Sequence, residues 1–152
     1  MADAAQAMIA ALRLAPHPEG GWYRETWRAA AAAPAADGAR AGGTAILFLL
    51  EAGQRSHWHR VDADELWLWH AGSPLVVLVE QENGAVQEFA LGGDVAGGYQ
   101  PQCLVPAGRW QSAEVRATEA RAGWALVSCV VVPGFEFSGF EMAAPEWRPG
   151  SE

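Results

Sequence analysis

Two histidines stand one residue apart in Gly53-Gln54-Arg55-Ser56-His57-Trp58-His59, and a glutamate follows at Glu65. Side chains alternate faces along a strand, so His57 and His59 are expected on one side and Trp58 on the other. The stretch Asp62-Ala63-Asp64 offers a turn, after which the next strand can return with Glu65 facing the imidazoles. Two neutral imidazoles and a carboxylate suit a divalent transition metal such as zinc, iron, nickel or manganese. Without a metal the same groups handle protons. A carboxylate beside an imidazole favours the imidazolium and fixes its tautomer, which makes the ring a general base.

Positioning such groups requires short strands. The chain has 152 residues, 51% of them hydrophobic and 18% charged, with 17 Gly and nine Pro. That suits a single domain built of strands and turns. Strands are expected over 20–27, 44–50, 54–59, 65–70, 74–81, 86–91, 100–105, 111–116 and 124–132. Asn83-Gly84 marks a tight hairpin, and Pro106-Ala107-Gly108 another turn. Asp3 can cap a short helix running to about Leu14, ended by Pro16 and Pro18. Residues 28–43, rich in Ala, Pro and Gly, read as a surface loop, and the tail from Pro145 as mobile or packed on a neighbouring subunit. So many short strands indicate an all-β sandwich or barrel, closure being favoured because it removes exposed edges.

Composition also excludes partners. The net charge is −8, with no Lys and no basic stripe, so a nucleic-acid or acidic-lipid partner is not expected. The first residues lack the basic start and long apolar run of a signal peptide, and no apolar run is of membrane-spanning length. Cys103 and Cys129 lie in apolar runs without CxxC spacing, which reads as buried free thiols. Together these features read as a cytoplasmic protein.

Gly53, His57, His59, Glu65 and Gly72 resemble the first motif of the cupin superfamily, and Pro106-Ala107-Gly108 through Gln111 resembles the second, with Gln111 where a ligand histidine usually stands. His17-Pro18-Glu19-Gly20-Gly21-Trp22-Tyr23-Arg24-Glu25-Thr26, Asp64-Glu65-Leu66-Trp67, Val105-Pro106-Ala107-Gly108 and Pro133-Gly134-Phe135-Glu136-Phe137 are closer to a cupin-5-like subfamily of unknown function. This resemblance implies a double-stranded β-helix (cupin jelly-roll) barrel, usually a homodimer, with a small-molecule pocket in its mouth. The implied metal set is His57, His59, Glu65 and Gln111, the glutamine being a weak ligand. Metal-free cupin epimerases acting on sugar nucleotides use a histidine base and a tyrosine acid, and Tyr23 and Tyr99 are the two tyrosines here. His17 is expected at the pocket mouth. Trp67, on the same face as Glu65, is the expected stacking residue, and His70 falls on the opposite face. The subfamily itself implies no activity; the convergent His, Glu and Gln groups in an apolar, Trp-lined pocket read as an enzyme performing isomerisation, epimerisation or metal-assisted chemistry on a polar sugar- or nucleotide-like metabolite, with non-catalytic binding or sensing as the alternative.

Overall fold

The computed structural model describes residues 2–31, 39–116 and 121–151. A helix, α1 (Ala2–Leu12), precedes β1 (Ala15–Pro16) and β2 (Trp22–Arg28). Then come β3 (Thr44–Glu51), β4 (Arg55–Val61), β5 (Asp64–Gly72), β6 (Leu75–Glu80) and β7 (Val86–Leu91). The chain ends with β8 (Gln102–Val105), β9 (Gln111–Glu114), β10 (Trp124–Val132) and β11 (Phe140–Met142). Two antiparallel sheets result, β1-β2-β3-β10-β5-β8 and β11-β4-β9-β6-β7. They face each other as the two walls of the expected jelly-roll barrel.

Alternation along the strands fills the space between the walls. From the larger sheet, Phe48, Leu50, Trp67, Cys103, Val105, Val127 and Cys129 point inward; Leu75, Val77, Val79 and Ala113 meet them from the smaller one. The outer face of the larger sheet is half covered. Ile9 and Leu14, from α1 and the residues after it, pack on Leu49 and Leu126 there, while Leu104 and Val132 stay exposed. Asn83-Gly84 makes the expected tight turn, with Gly84 in the left-handed region at φ 80° and Gln81 N–H bonded to the Ala85 carbonyl at 2.7 Å.

Three expectations change. The short strands β1 and β11 carry no periodic signal and form only by pairing with Trp22–Tyr23 and with His59–Val61. Of the segment 28–43, residues 32–38 lie outside the described residues, but its flanks are paired: Ala29 N–H bonds the Gly43 carbonyl, and Gly42 N–H bonds that of Ala30. The tail packs on its own barrel. Trp147 sits 4.6 Å from the Trp110 ring and 6.5 Å from Trp58, covering Val76 and Leu78 on the outer face of the smaller sheet. An apolar outer face needs a cover, and the tail's tryptophan supplies it.

Trp147→Ala should therefore cost about 1–3 kcal/mol of stability, since a half-buried aromatic loses its stacking partners and uncovers Val76. Chemical denaturation checks this, and an unchanged midpoint would show that the tail does not contribute.

Candidate functional site

At one end of the barrel the sheets part around a cavity of about 350 Å³. Its interior carries His17, Glu19, Tyr23, His59, Glu65 and Cys129, with Val61 and Val131 between them. Phe135 and Phe137 also line it, and with Phe140 they form an aromatic cluster at this end, with ring centroids 4.9–6.1 Å apart.

The two motif histidines separate. Ser56 pairs with Ala113 and His59 with Gln111, so His57 and Trp58 together oppose Ser112 alone. This is a β-bulge, and one extra residue shifts the phase of alternation. His59 and Val61 thereby face the cavity. His57 does not line it: its Nε2 lies 2.9 Å from the Ala144 carbonyl of the tail. The expected same-face pair is thus corrected by a bulge that spacing alone does not disclose.

The place left by His57 is taken by Glu19. Gly20 and Gly21 turn the chain sharply at φ 107° and 75°. A Cβ on Gly20 would collide with the Arg55 carbonyl oxygen, so this close passage requires glycine. The turn is closed by His17 N–H to the Gly21 carbonyl at 2.9 Å and tied to β4 by His57 N–H to the Glu19 carbonyl at 2.8 Å. Its effect is to bury the Glu19 carboxyl inside the barrel, with Oε2 3.1 Å from His59 Nε2.

Hydrogen bonding fixes the protons here. His59 Nδ1 lies 2.7 Å from the His57 carbonyl, which can only accept, so Nδ1 carries hydrogen. Nε2 then faces Glu19 Oε2 with one proton held between ring and carboxyl. Burial drives both partners toward neutrality. It lowers His59, an effect that the Glu65 charge opposes, and it pushes Glu19 up to about 8. The Ser56 hydroxyl tempers the Glu19 shift, although it makes no hydrogen bond of good geometry. Glu65 is pushed up to about 7, chiefly by burial, with His59 pulling it down and Glu19 pushing it up. His17 is brought down to about 4 by burial and by His59; its Nδ1 accepts the Glu19 N–H at 3.1 Å, so the ring is neutral at pH 7. Tyr23 meets that ring edge-on at 4.4 Å.

Gln111 is a support, not a ligand. Indole N–H only donates, so the 2.9 Å bond from Trp67 Nε1 fixes which end of the amide is oxygen. The amide nitrogen then donates to Glu65 Oε1 at 2.8 Å, across from one sheet to the other. Trp67, 1% exposed, is a core residue beneath this bond and does not stack in the cavity. Tyr99 lies elsewhere, beside Ser73 and Asp94. The expected metal set therefore does not converge: His57 is outside, the Gln111 oxygen is engaged by Trp67, and His59 Nε2 meets Glu19. Among the described residues no three His, Cys, Asp or Glu side chains are grouped to hold an ion. Glu19 is the site residue that sequence reasoning missed. The signal was its place before the double glycine, in the same block as His17 and Tyr23.

Comparison with known proteins agrees with this architecture. A hypothetical protein from Leishmania major superposes with a TM-score of 0.81 at 34% identity, over 91% of this chain and 86% of that one. A protein from Shewanella oneidensis gives 0.80 at 38% identity, over 91% and 84%. Oxalate decarboxylase from Bacillus subtilis, an enzyme with Mn(II) centres, shares the fold at 18% identity and a TM-score of 0.60, over 84% of this chain and 29% of that one. No functionally curated protein matches. The family model described as "Cupin superfamily (DUF985)", Cupin_5, matches residues 6–143, and the chain belongs to that family.

Proposed function

We propose that this cupin binds a small polar metabolite in the barrel cavity and moves a proton on it, as an isomerase or epimerase does. The observation that carries the reading is the placement of two buried carboxyls, Glu19 and Glu65, around His59 in one cavity, with proton affinities near neutral pH. A group that exchanges protons near the working pH is the most effective acid–base catalyst. Glu65 is the reacting group. Its Oε1 accepts from Gln111, its carboxyl also meets the Cys129 thiol, and it lines the cavity in which the ligand would sit. The His59–Glu19 pair, which holds one proton, is the reservoir beside it, and Tyr23 lines the same cavity from β2, in the sheet that also carries Glu65. Sugar- and nucleotide-like metabolites fit a cavity that combines such groups with apolar walls.

A second reading, binding without chemistry, is favoured by one feature: both nitrogens of His59 are already engaged within the protein. The two readings separate in heavy water. A panel of small sugars, hydroxy acids and nucleosides is first sorted by thermal shift, and each binder is then examined for carbon-bound deuterium. Proton transfer predicts exchange in the wild type and at least about a 100-fold slower rate in Glu65→Gln, with the thermal shift kept. Binders that never exchange would support the second reading.

The buried carboxyls also set the response to pH. Raised folded-state values for Glu19 and Glu65 mean that the native state holds protons the unfolded chain has released. Their contribution is fully present below about pH 4.5 and is lost as pH rises through about 7 and 8. The melting temperature should therefore fall between pH 6 and 9, and the fall should be smaller in Glu19→Gln. Equal slopes in both proteins would contradict the burial of an ionisable Glu19.

A further inference from the structure

We infer that the ligand of this cavity carries an anionic head group, a carboxylate or phosphate, which Arg13 and Arg24 receive at the mouth. The inference rests on the reading of the cavity as a ligand site and adds the class of molecule.

The chain has ten basic residues, all arginine, against 18 acidic ones. Among the described residues six arginines form carboxylate ion pairs: Arg28, Arg40, Arg55, Arg60, Arg109 and Arg116. With acids in such excess, a guanidinium left without one stands out. Among the described residues Arg13, Arg24, Arg121 and Arg148 form no carboxylate ion pair, and of these four Arg13 and Arg24 line the cavity. Arg24 is held in place by its Nε–H bond to the Leu12 carbonyl at 2.7 Å, which leaves its two terminal nitrogens to donate. The third arginine at this mouth, Arg28, is neutralised by Glu25 at 2.9 Å and Glu136 at 3.8 Å. A guanidinium fork with its terminal nitrogens unpaired, lining one cavity with a second, matches the two oxygens of a carboxylate or phosphate.

A backbone observation points the same way. Helix α1 ends in a Schellman turn: Leu14 N–H bonds the Ile9 carbonyl at 2.9 Å and Arg13 N–H that of Ala10 at 3.2 Å. The residue at this position takes left-handed backbone angles and is usually glycine. Here it is Arg13, at φ 55°, the sole non-glycine with positive φ among the described residues. The chain thus accepts local strain to set a guanidinium at the cavity mouth, as strained residues at binding sites do.

The test compares the wild type with Arg13→Gly by calorimetric titration of inorganic phosphate and of succinate at low salt, with thermal melts alongside. Glycine relieves the left-handed strain, so the variant should melt a few degrees higher while binding the preferred anion at least about 10-fold more weakly. Whichever anion binds tighter to the wild type identifies the head group. Equal anion affinity in the two proteins, or no anion binding by the wild type, overturns the inference. Failure of proton transfer would leave these outcomes unchanged. Exchange found only on neutral ligands would keep the proposed function and remove the anionic head group.

Discussion

The burial of Glu19 against His59 inside the barrel is the constraint on which the rest of this site depends. An isolated carboxylate would be expelled from such a place, at a cost of several kcal/mol. It remains because it shares a proton with an imidazole whose other nitrogen is pinned to a backbone carbonyl 2.7 Å away. The bulge in β4, the glycine pair at 20 and 21 and the phenylalanines at the cavity end all serve that contact. The first turns His59 inward, the second admits the carboxyl and the third sets the Phe140 ring 5.5 Å from that of His59.

The second sheet-to-sheet tie has a different role. Trp67, Gln111 and Glu65 form a chain in which each hydrogen bond fixes the next group. Because the indole can only donate, the amide cannot flip, and one oxygen of Glu65 is always occupied. A buried polar chain that is satisfied in this way is rigid. It holds Glu65 in place at the cavity wall, where the Cys129 thiol also meets its carboxyl. Gln111, where the cupin motif usually has a histidine, thus spends its oxygen on Trp67 and its nitrogen on Glu65.

Much of the barrel is legible in the sequence. Alternation and turn chemistry place nine of its strands, Val86–Leu91 and Trp124–Val132 with their observed bounds, because those strands have a clear buried face or a strong turn beside them. The two shortest strands carry no such pattern and exist only through their partners. Within the site, His59, Glu65, His17 and Tyr23 are reached by motif and alternation. His57 is not, because a bulge is a property of two strands in register and leaves no mark in one of them. Trp67 is assigned the inward face correctly, but inward here means core, since the cavity occupies only one end of the space between the sheets. Glu19 is hidden for the same reason: a carboxylate in a turn reads as exposed until the turn is seen to pass beneath β4.

The central claim concerns two protons, and carbon-13 NMR of glutamate carboxyls reports them directly. In protein labelled at the glutamate side-chain carboxyl, two resonances should titrate near pH 7 and 8, well clear of the surface glutamates, and Glu65→Gln and Glu19→Gln should each remove one of them. If every glutamate titrates near the ordinary value of 4.5, neither carboxyl is buried as described and the account of the site fails.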